Sequence, residues 1–223
     1  MNETSERKAQ EKLILITTNS VKLEGNLAVP ENARGVVLFA HGSGSSRHSP
    51  RNQYVASVLQ SHGLATLLID LLTTQEEVID LRTRHLRFDI GLLASRLVDA
   101  TDWLAHNPDT CNLKVGYFGA STGAAAALLA ATERPNTVAA IVSRGGRPDL
   151  VGSALGRVKA PTLLIVGGYD TPVIRMNQEA LKLLRVEKAL EIIPGASHLF
   201  EEQGTLEQVA QLATEWFERY LAS

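Results

Sequence analysis

Apolar residues along this chain fall into two alternating rhythms. Continuous aliphatic and β-branched runs occur at "GVVLFAHG" (35–42), "HGLATLLID" (62–70) and "APTLLIVGG" (160–168), the pattern of strands buried on both faces. Further strands are predicted at 113–118, at 137–143 and at "ALEIIPG" (189–195). Two more, "KLILITT" (12–18) and "VKLEGNLAVP" (21–30), adjoin across "TNS", which supplies turn chemistry. Between the later runs the spacing turns helical. It predicts helices over Pro50–Leu59, 121–132 and 173–185, and over Leu86–Leu104 through Leu86, Ile90, Leu93, Leu97, Ala100 and Leu104. A last helix starts at Thr205, with Gln208 three residues on as a capping box, and its stripe runs through Leu206, Val209, Ala213, Phe217 and Tyr220. Residues 71–85, polar and charged, follow neither rhythm.

Strands alternating with helices imply an α/β fold, a mostly parallel central sheet with helices on both faces. No repeat, low-complexity tract or linker divides residues 1–223, so one domain is expected. The net charge of −2 gives no electrostatic case for nucleic acid or an anionic membrane. No apolar run approaches the ~18 residues of a membrane helix. The opening "MNETSERKAQEKL" lacks the apolar stretch of a secretory signal, and the single cysteine, Cys111, suits a reducing compartment. A cytoplasmic protein acting on a small molecule is the expectation.

In such a sheet, ligands gather beyond the carboxyl ends of the strands. Three residues stand there. Ser121 lies in Gly119-Ala120-Ser121-Thr122-Gly123, a G-x-S-x-G turn between a predicted strand and a predicted helix. Such a turn is tight enough to project a serine hydroxyl, and the N–H of the next residue, Thr122, points from the helix start at a developing oxyanion. The bland alternative is that the glycines only let strand and helix pass closely. Asp170, in "LLIVGGYDTPV", follows a buried strand, and its bland role is a helix N-cap. His198, in "EIIPGASHLF", ends the next strand in a small-residue turn, where a lone histidine is often merely exposed. Together the three follow the chain order Ser…Asp…His of a triad. Asp149, in "GGRPDL", is the rival acid.

The loop "FAHGSGSSRHSPRN" follows the third strand, where a second oxyanion donor belongs; Ser43 is the candidate, with Gly44 the alternative. It does not make a dinucleotide motif, which would need glycine at Arg47, nor is there a P-loop lysine. No histidine spacing matches a zinc motif, and no cofactor or metal is expected. Arg47, Arg51, Arg144 and Arg147 are candidates to meet a substrate carboxylate, against the plainer reading of solvated surface arginines.

On "HGSGSS", "GASTG", "GGYD" and "GASH", the chain resembles an α/β-hydrolase, and within that superfamily the dienelactone hydrolase family. The enzyme that names the family uses a cysteine nucleophile activated with a glutamate from the oxyanion loop; this chain has Ser121 and no such glutamate. What the resemblance implies is therefore a serine acyl hydrolase on that scaffold, cleaving a small ester, lactone or thioester. The same residues serve a peptidase or acyltransferase. The fold also hosts non-catalytic ligand binders, and a nucleotide-handling transferase is disfavoured by the missing phosphate motifs. About seventeen residues (144–160) separate the sixth and seventh strands, too few for a large cap domain, so an open site is expected.

Overall fold

The computed structural model describes residues 10–18 and 21–222. The opening segment 1–9, read above for a leader, and the Asn19–Ser20 part of the first turn lie outside the described residues. Among the described residues eight strands form one sheet: β1 (Glu11–Thr17), β2 (Lys22–Ala28), β3 (Val36–Ala40), β4 (Ala65–Ile69), β5 (Val115–Ala120), β6 (Val138–Arg144), β7 (Thr162–Gly167) and β8 (Lys188–Ile193). Their order is β1-β2-β4-β3-β5-β6-β7-β8. β2 is antiparallel to both β1 and β4, and every pairing from β4 across to β8 is parallel.

Because side chains alternate across a strand, the central runs feed two separate cores. Leu38, Leu67, Tyr117, Ile141 and Leu164 point to the face covered by α3 (Ile90–His106) and α4 (Thr122–Glu133). Phe39, Leu68, Phe118, Val142 and Ile165 point to the face covered by α1 (Pro50–Ser61) and α6 (Thr205–Leu221). The chain leaving β3 thus goes to one face and the chain leaving β5 to the other. Between those two adjacent strands the carboxyl edge of the sheet opens into a crevice, the place this topology reserves for ligands.

Several boundaries differ from the pattern-based expectation. Residues 71–85 contain α2 (Thr74–Thr83), started by a capping box in which Thr73 Oγ1 accepts from Glu76 N–H (3.2 Å) and Glu76 Oε2 accepts from Thr73 N–H (2.8 Å). The box expected at Thr205 is absent: Gly204, left-handed at φ 81°, precedes α6, and the Thr205 hydroxyl donates back to Glu202 C=O (2.7 Å). The helix expected from Leu86 starts at Ile90, because Asp89 caps it through Leu92 N–H (3.0 Å) and Leu86–Phe88 form a separate 3-10 turn. A further 3-10 segment, Pro148–Arg157, kinks at Gly152. α5 (Thr171–Leu183) begins two residues early, directly after Asp170. No described helix is long and apolar enough to cross a membrane.

Candidate active site

β5 ends at Ala120 and α4 starts at Thr122, leaving a single residue to reverse the chain. That residue, Ser121, sits at φ 51°, ψ −119°, a strained conformation for a side chain bearing a Cβ. The turn closes because its neighbours are small. A Cβ on Gly123 would stand 2.3 Å from Ala40 C=O oxygen, and one on Gly119 would stand 2.4 Å from Ala124 Cα. Close packing and a projected serine are thus one feature rather than alternatives. Ser121 stands where a serine ordinarily caps the helix, yet its hydroxyl makes no capping bond. It lines a cavity of about 250 Å³ together with His198, Gly42, Ser43, Arg51, Asn52 and Arg144.

Asp170 settles its own ambiguity in the same way. It holds the N-cap position of α5, but its side chain caps nothing. The largely buried carboxylate turns instead to His198, where Oδ2 accepts from Nδ1 at 2.5 Å. In the neutral ring this bond places the proton on Nδ1 and presents Nε2 as the acceptor. The ring packs over Gly145, where a Cβ would come within 3.4 Å of both Nδ1 and Cε1. His198 and Ser121 share the cavity without a direct hydrogen bond between their side chains among the described residues, a loose arrangement common in unliganded sites. Asp149 is elsewhere engaged: its carboxylate grips Arg147 Nε and Nη2 at 2.8 and 2.7 Å.

The loop after β3 crosses in front of this pair. Gly42 C=O accepts from His41 Nδ1 (3.0 Å) and from Ser45 N–H (3.1 Å). A trans peptide sets the next N–H opposite its carbonyl, so the Ser43 N–H is turned away from those donors. Ser43 lines the Ser121 cavity, whereas Gly44 lines only a neighbouring cavity of about 410 Å³ beneath α2. Ser43 lines that second chamber as well, whereas Thr122 lines only the second chamber, whose walls include Leu71, Leu72, Leu81 and Leu93. Sequence reasoning passed over His41. Buried, it accepts from Leu71 N–H at Nε2 (3.0 Å) and so ties the β3 loop to the β4 loop. Desolvation lowers its pKa, against the raising effects of the Gly42 carbonyl and Asp70.

The four arginines separate. Arg47 is corrected: its guanidinium is bound to Asp70, to Glu24 (2.5 Å) and to Asn26 Oδ1 (3.3 Å), away from both cavities. Arg147 is likewise held by Asp149 outside them. Arg51 and Arg144 do line the Ser121 cavity. Arg144 is 7% exposed, its Nη2 lies 3.5 Å from Asn52 Oδ1, and its guanidinium sits 5.9 Å from the centre of the Phe200 ring. Burial, with Arg51 beside it, lowers its pKa to about 10, so it remains a cation at neutral pH. Of the segment 144–155, only Arg144 reaches either cavity. Among the described residues no cluster of three or more His, Cys, Asp or Glu is placed to hold a metal.

Comparison with known proteins agrees with this architecture. The model of the dienelactone hydrolase family matches residues 23–222. A crystal structure of dienelactone hydrolase from Anabaena variabilis is 72% identical, with a TM-score of 0.95 over 96% of this chain and all (100%) of that one. Est1E from Butyrivibrio proteoclasticus shares the fold at a TM-score of 0.79 and 15% identity, covering 93% of this chain and 98% of its own. A Mycobacterium tuberculosis H37Rv protein named "Putative phosphoribosyl transferase" is 60% identical over 204 residues, 92% of this chain but 45% of that protein. The chain thus spans less than half the length of the curated relatives it matches. It belongs to the dienelactone hydrolase family and has the α/β-hydrolase fold.

Proposed function

We propose that the chain hydrolyses small acyl compounds (esters, thioesters or lactones) through a Ser121–His198–Asp170 triad and an acyl-enzyme. The observation that carries this is the Asp170 carboxylate, turned from the α5 N-terminus onto His198 in the cavity that Ser121 lines. Serine's hydroxyl is a weak nucleophile at neutral pH, so the base must act with it. His198 Nε2 takes the Ser121 proton as Oγ attacks the substrate carbonyl. The N–H groups of Ser43 and Thr122 hold the resulting oxyanion, each such donor being worth about 3 kcal/mol. Collapse expels the alcohol, thiol or ring oxygen, which receives the proton from His198. Water, deprotonated by His198, then attacks the acyl-enzyme; collapse of that second tetrahedral intermediate returns the proton to Ser121 and frees the acid. Asp170 orients the ring and stabilises its cation throughout.

The 72% identity to a protein named dienelactone hydrolase puts lactones among the substrates to be tried. The transferase name of the mycobacterial relatives belongs to proteins of which this chain matches 45%, and no feature of the present site supports it. The test is a fluorophosphonate probe combined with p-nitrophenyl ester, thioester and lactone substrates. Labelling and turnover are expected for the natural chain and lost in Ser121→Ala. Cys111→Ser, which alters an exposed residue ahead of β5 and away from the carboxyl edge, is expected to leave both intact. Labelling that persists in Ser121→Ala removes the serine mechanism.

A further inference from the structure

α2 is built inside out. Asp80 and Glu76, four residues apart on one face, turn inward, where Asp80 pairs with Arg87 and Glu76 with Arg96 (2.8 Å). Val78 and Leu81, three apart on the other face, are 56% and 71% exposed, with Ile79 exposed beside them. Phe88, in the turn that follows, is also exposed. A surface helix ordinarily buries its apolar side; this one is fastened by ion pairs and turns that side outward. The exposed apolar surface continues around the site. Leu150 after β6, Tyr169 after β7 and Leu199 after β8 are exposed too, in segments that leave the same carboxyl edge of the parallel strands. Leu81 also lines the chamber beneath α2, and Leu199 lines the Ser121 cavity, so this surface runs down into both. Apolar side chains gathered on one side of a domain mark a surface that meets a partner.

Charge identifies the partner. Arg82 and Arg84 are exposed in the same segment, and among the described residues no acid pairs with either. The acids of the segment are otherwise occupied: Glu76 and Asp80 are paired, Glu77 lines the chamber, and Asp89 caps α3. A second copy docked about a two-fold axis would set these arginines against their own counterparts. An anionic surface meets them with opposite charge. The net charge of −2 belongs to the whole chain and does not describe this patch. We propose that α2 and the Leu86–Phe88 turn dock on an anionic phospholipid surface, with Val78, Leu81 and Phe88 entering the headgroup boundary and Arg82 and Arg84 meeting lipid phosphates. The carboxyl edge of the sheet, with both cavities, then faces the lipid. The docking goes beyond the acyl-hydrolase reading and is measured without turnover.

The test is co-sedimentation of the full chain with vesicles of phosphatidylcholine alone and of phosphatidylcholine with about one-third phosphatidylglycerol. The natural chain is expected to bind the anionic vesicles about tenfold more tightly or better, and raising the salt from about 0.05 M to about 0.5 M should remove most of that preference. Arg82→Gln combined with Arg84→Gln should bring the ratio of the two affinities to about one. Val78→Ser combined with Ile79→Ser should weaken binding to anionic vesicles about tenfold. Leu13→Ser combined with Leu15→Ser, which alters exposed apolar residues of the edge strand β1, should not weaken it. No binding to anionic vesicles, equal binding to both kinds, a ratio unchanged by the arginine variant, or equal losses in the α2 and β1 variants overturns the proposal. So does a dimer, seen by sedimentation equilibrium, that the α2 variant dissociates, because a second copy then covers the patch. If the α2 variant does not fold by circular dichroism, Phe88→Ser takes its place and must weaken binding. Docking does not depend on catalysis, so a chain that fails to label with fluorophosphonate still decides it, and failed docking leaves the hydrolase standing.

Discussion

Ser121 and Asp170 each stand immediately before a helix, the position where serine and aspartate are favoured because their oxygens bind free N–H groups. Neither does so. Each unused cap forgoes about 1 kcal/mol of helix stability, and the positive φ at Ser121 adds about 1–3 kcal/mol of strain. Residues held against local preference in this way mark chemistry more sharply than residue type does. The same reasoning separates the two candidate acids. Asp170→Asn should lower kcat by about 10,000-fold while leaving thermal stability nearly unchanged, because the amide stabilises the wrong imidazole tautomer. Asp149→Asn should leave kcat within about twofold, since an exposed ion pair such as Asp149–Arg147 is worth little even to folding. Steady-state kinetics on the two variants settles the assignment. A larger loss at Asp149 would reverse it.

At the scale of elements, the central strands were legible because β3 to β7 lie between two helical layers and are written as largely apolar, buried runs. The residues of the proposed triad were legible for a related reason, since the ends of those strands locate the crevice. α2 was not, because its pattern is inverted. Val78, Ile79 and Leu81 are exposed while Asp80 is buried, accepting from Leu86 N–H (2.8 Å) and Arg87 N–H (3.1 Å) and paired with the Arg87 side chain. Nor was the fate of the arginines: the partners of Arg47, Asp70 and Glu24, are each 23 residues away in the chain. The strand–turn–helix element itself makes a prediction. A Cβ at Gly123 meets backbone oxygens of both Ala40 (2.3 Å) and His41 (2.4 Å), which can yield only by moving the end of β3 and the loop that follows it. Gly123→Ala should therefore cost about 1–3 kcal/mol in urea unfolding, and should reduce kcat as well. Normal activity with normal stability would show that β3 and α4 can part freely.

At the scale of the whole molecule, His41 ties together two neighbouring loops of the sheet's carboxyl edge, holding the β3 loop through Gly42 and the β4 loop through Leu71. Only the neutral ring, with its proton on Nδ1, makes both at once: Nε2 must be unprotonated to accept from Leu71 N–H, whereas the Nδ1–H bond to the Gly42 carbonyl survives protonation. Burial disfavours the cation more than the Gly42 carbonyl and Asp70 favour it, so the folded-state pKa lies below 6.5. The unfolded chain, with histidine near its ordinary value of about 6.5, then binds the proton more readily than the folded one. The stabilisation from a neutral His41 is complete above about pH 6.5 and is lost progressively as the pH falls from there toward the folded-state value. Each unit of difference corresponds to about 1.4 kcal/mol. Unfolding free energy, measured in urea, should accordingly decline between pH 7 and pH 5. His41→Gln should be less stable at pH 7 yet show a visibly shallower decline, because the group that takes up the proton on unfolding is gone. Asp80 does not contribute in this window. Desolvation raises its carboxyl pKa, but the hydrogen bonds from Arg87 and Leu86 outweigh that and leave it below its ordinary value, so its contribution is lost only at more acid pH. A slope between pH 7 and pH 5 that survives His41→Gln unchanged would move the pH sensitivity to another group and leave His41 a packing residue.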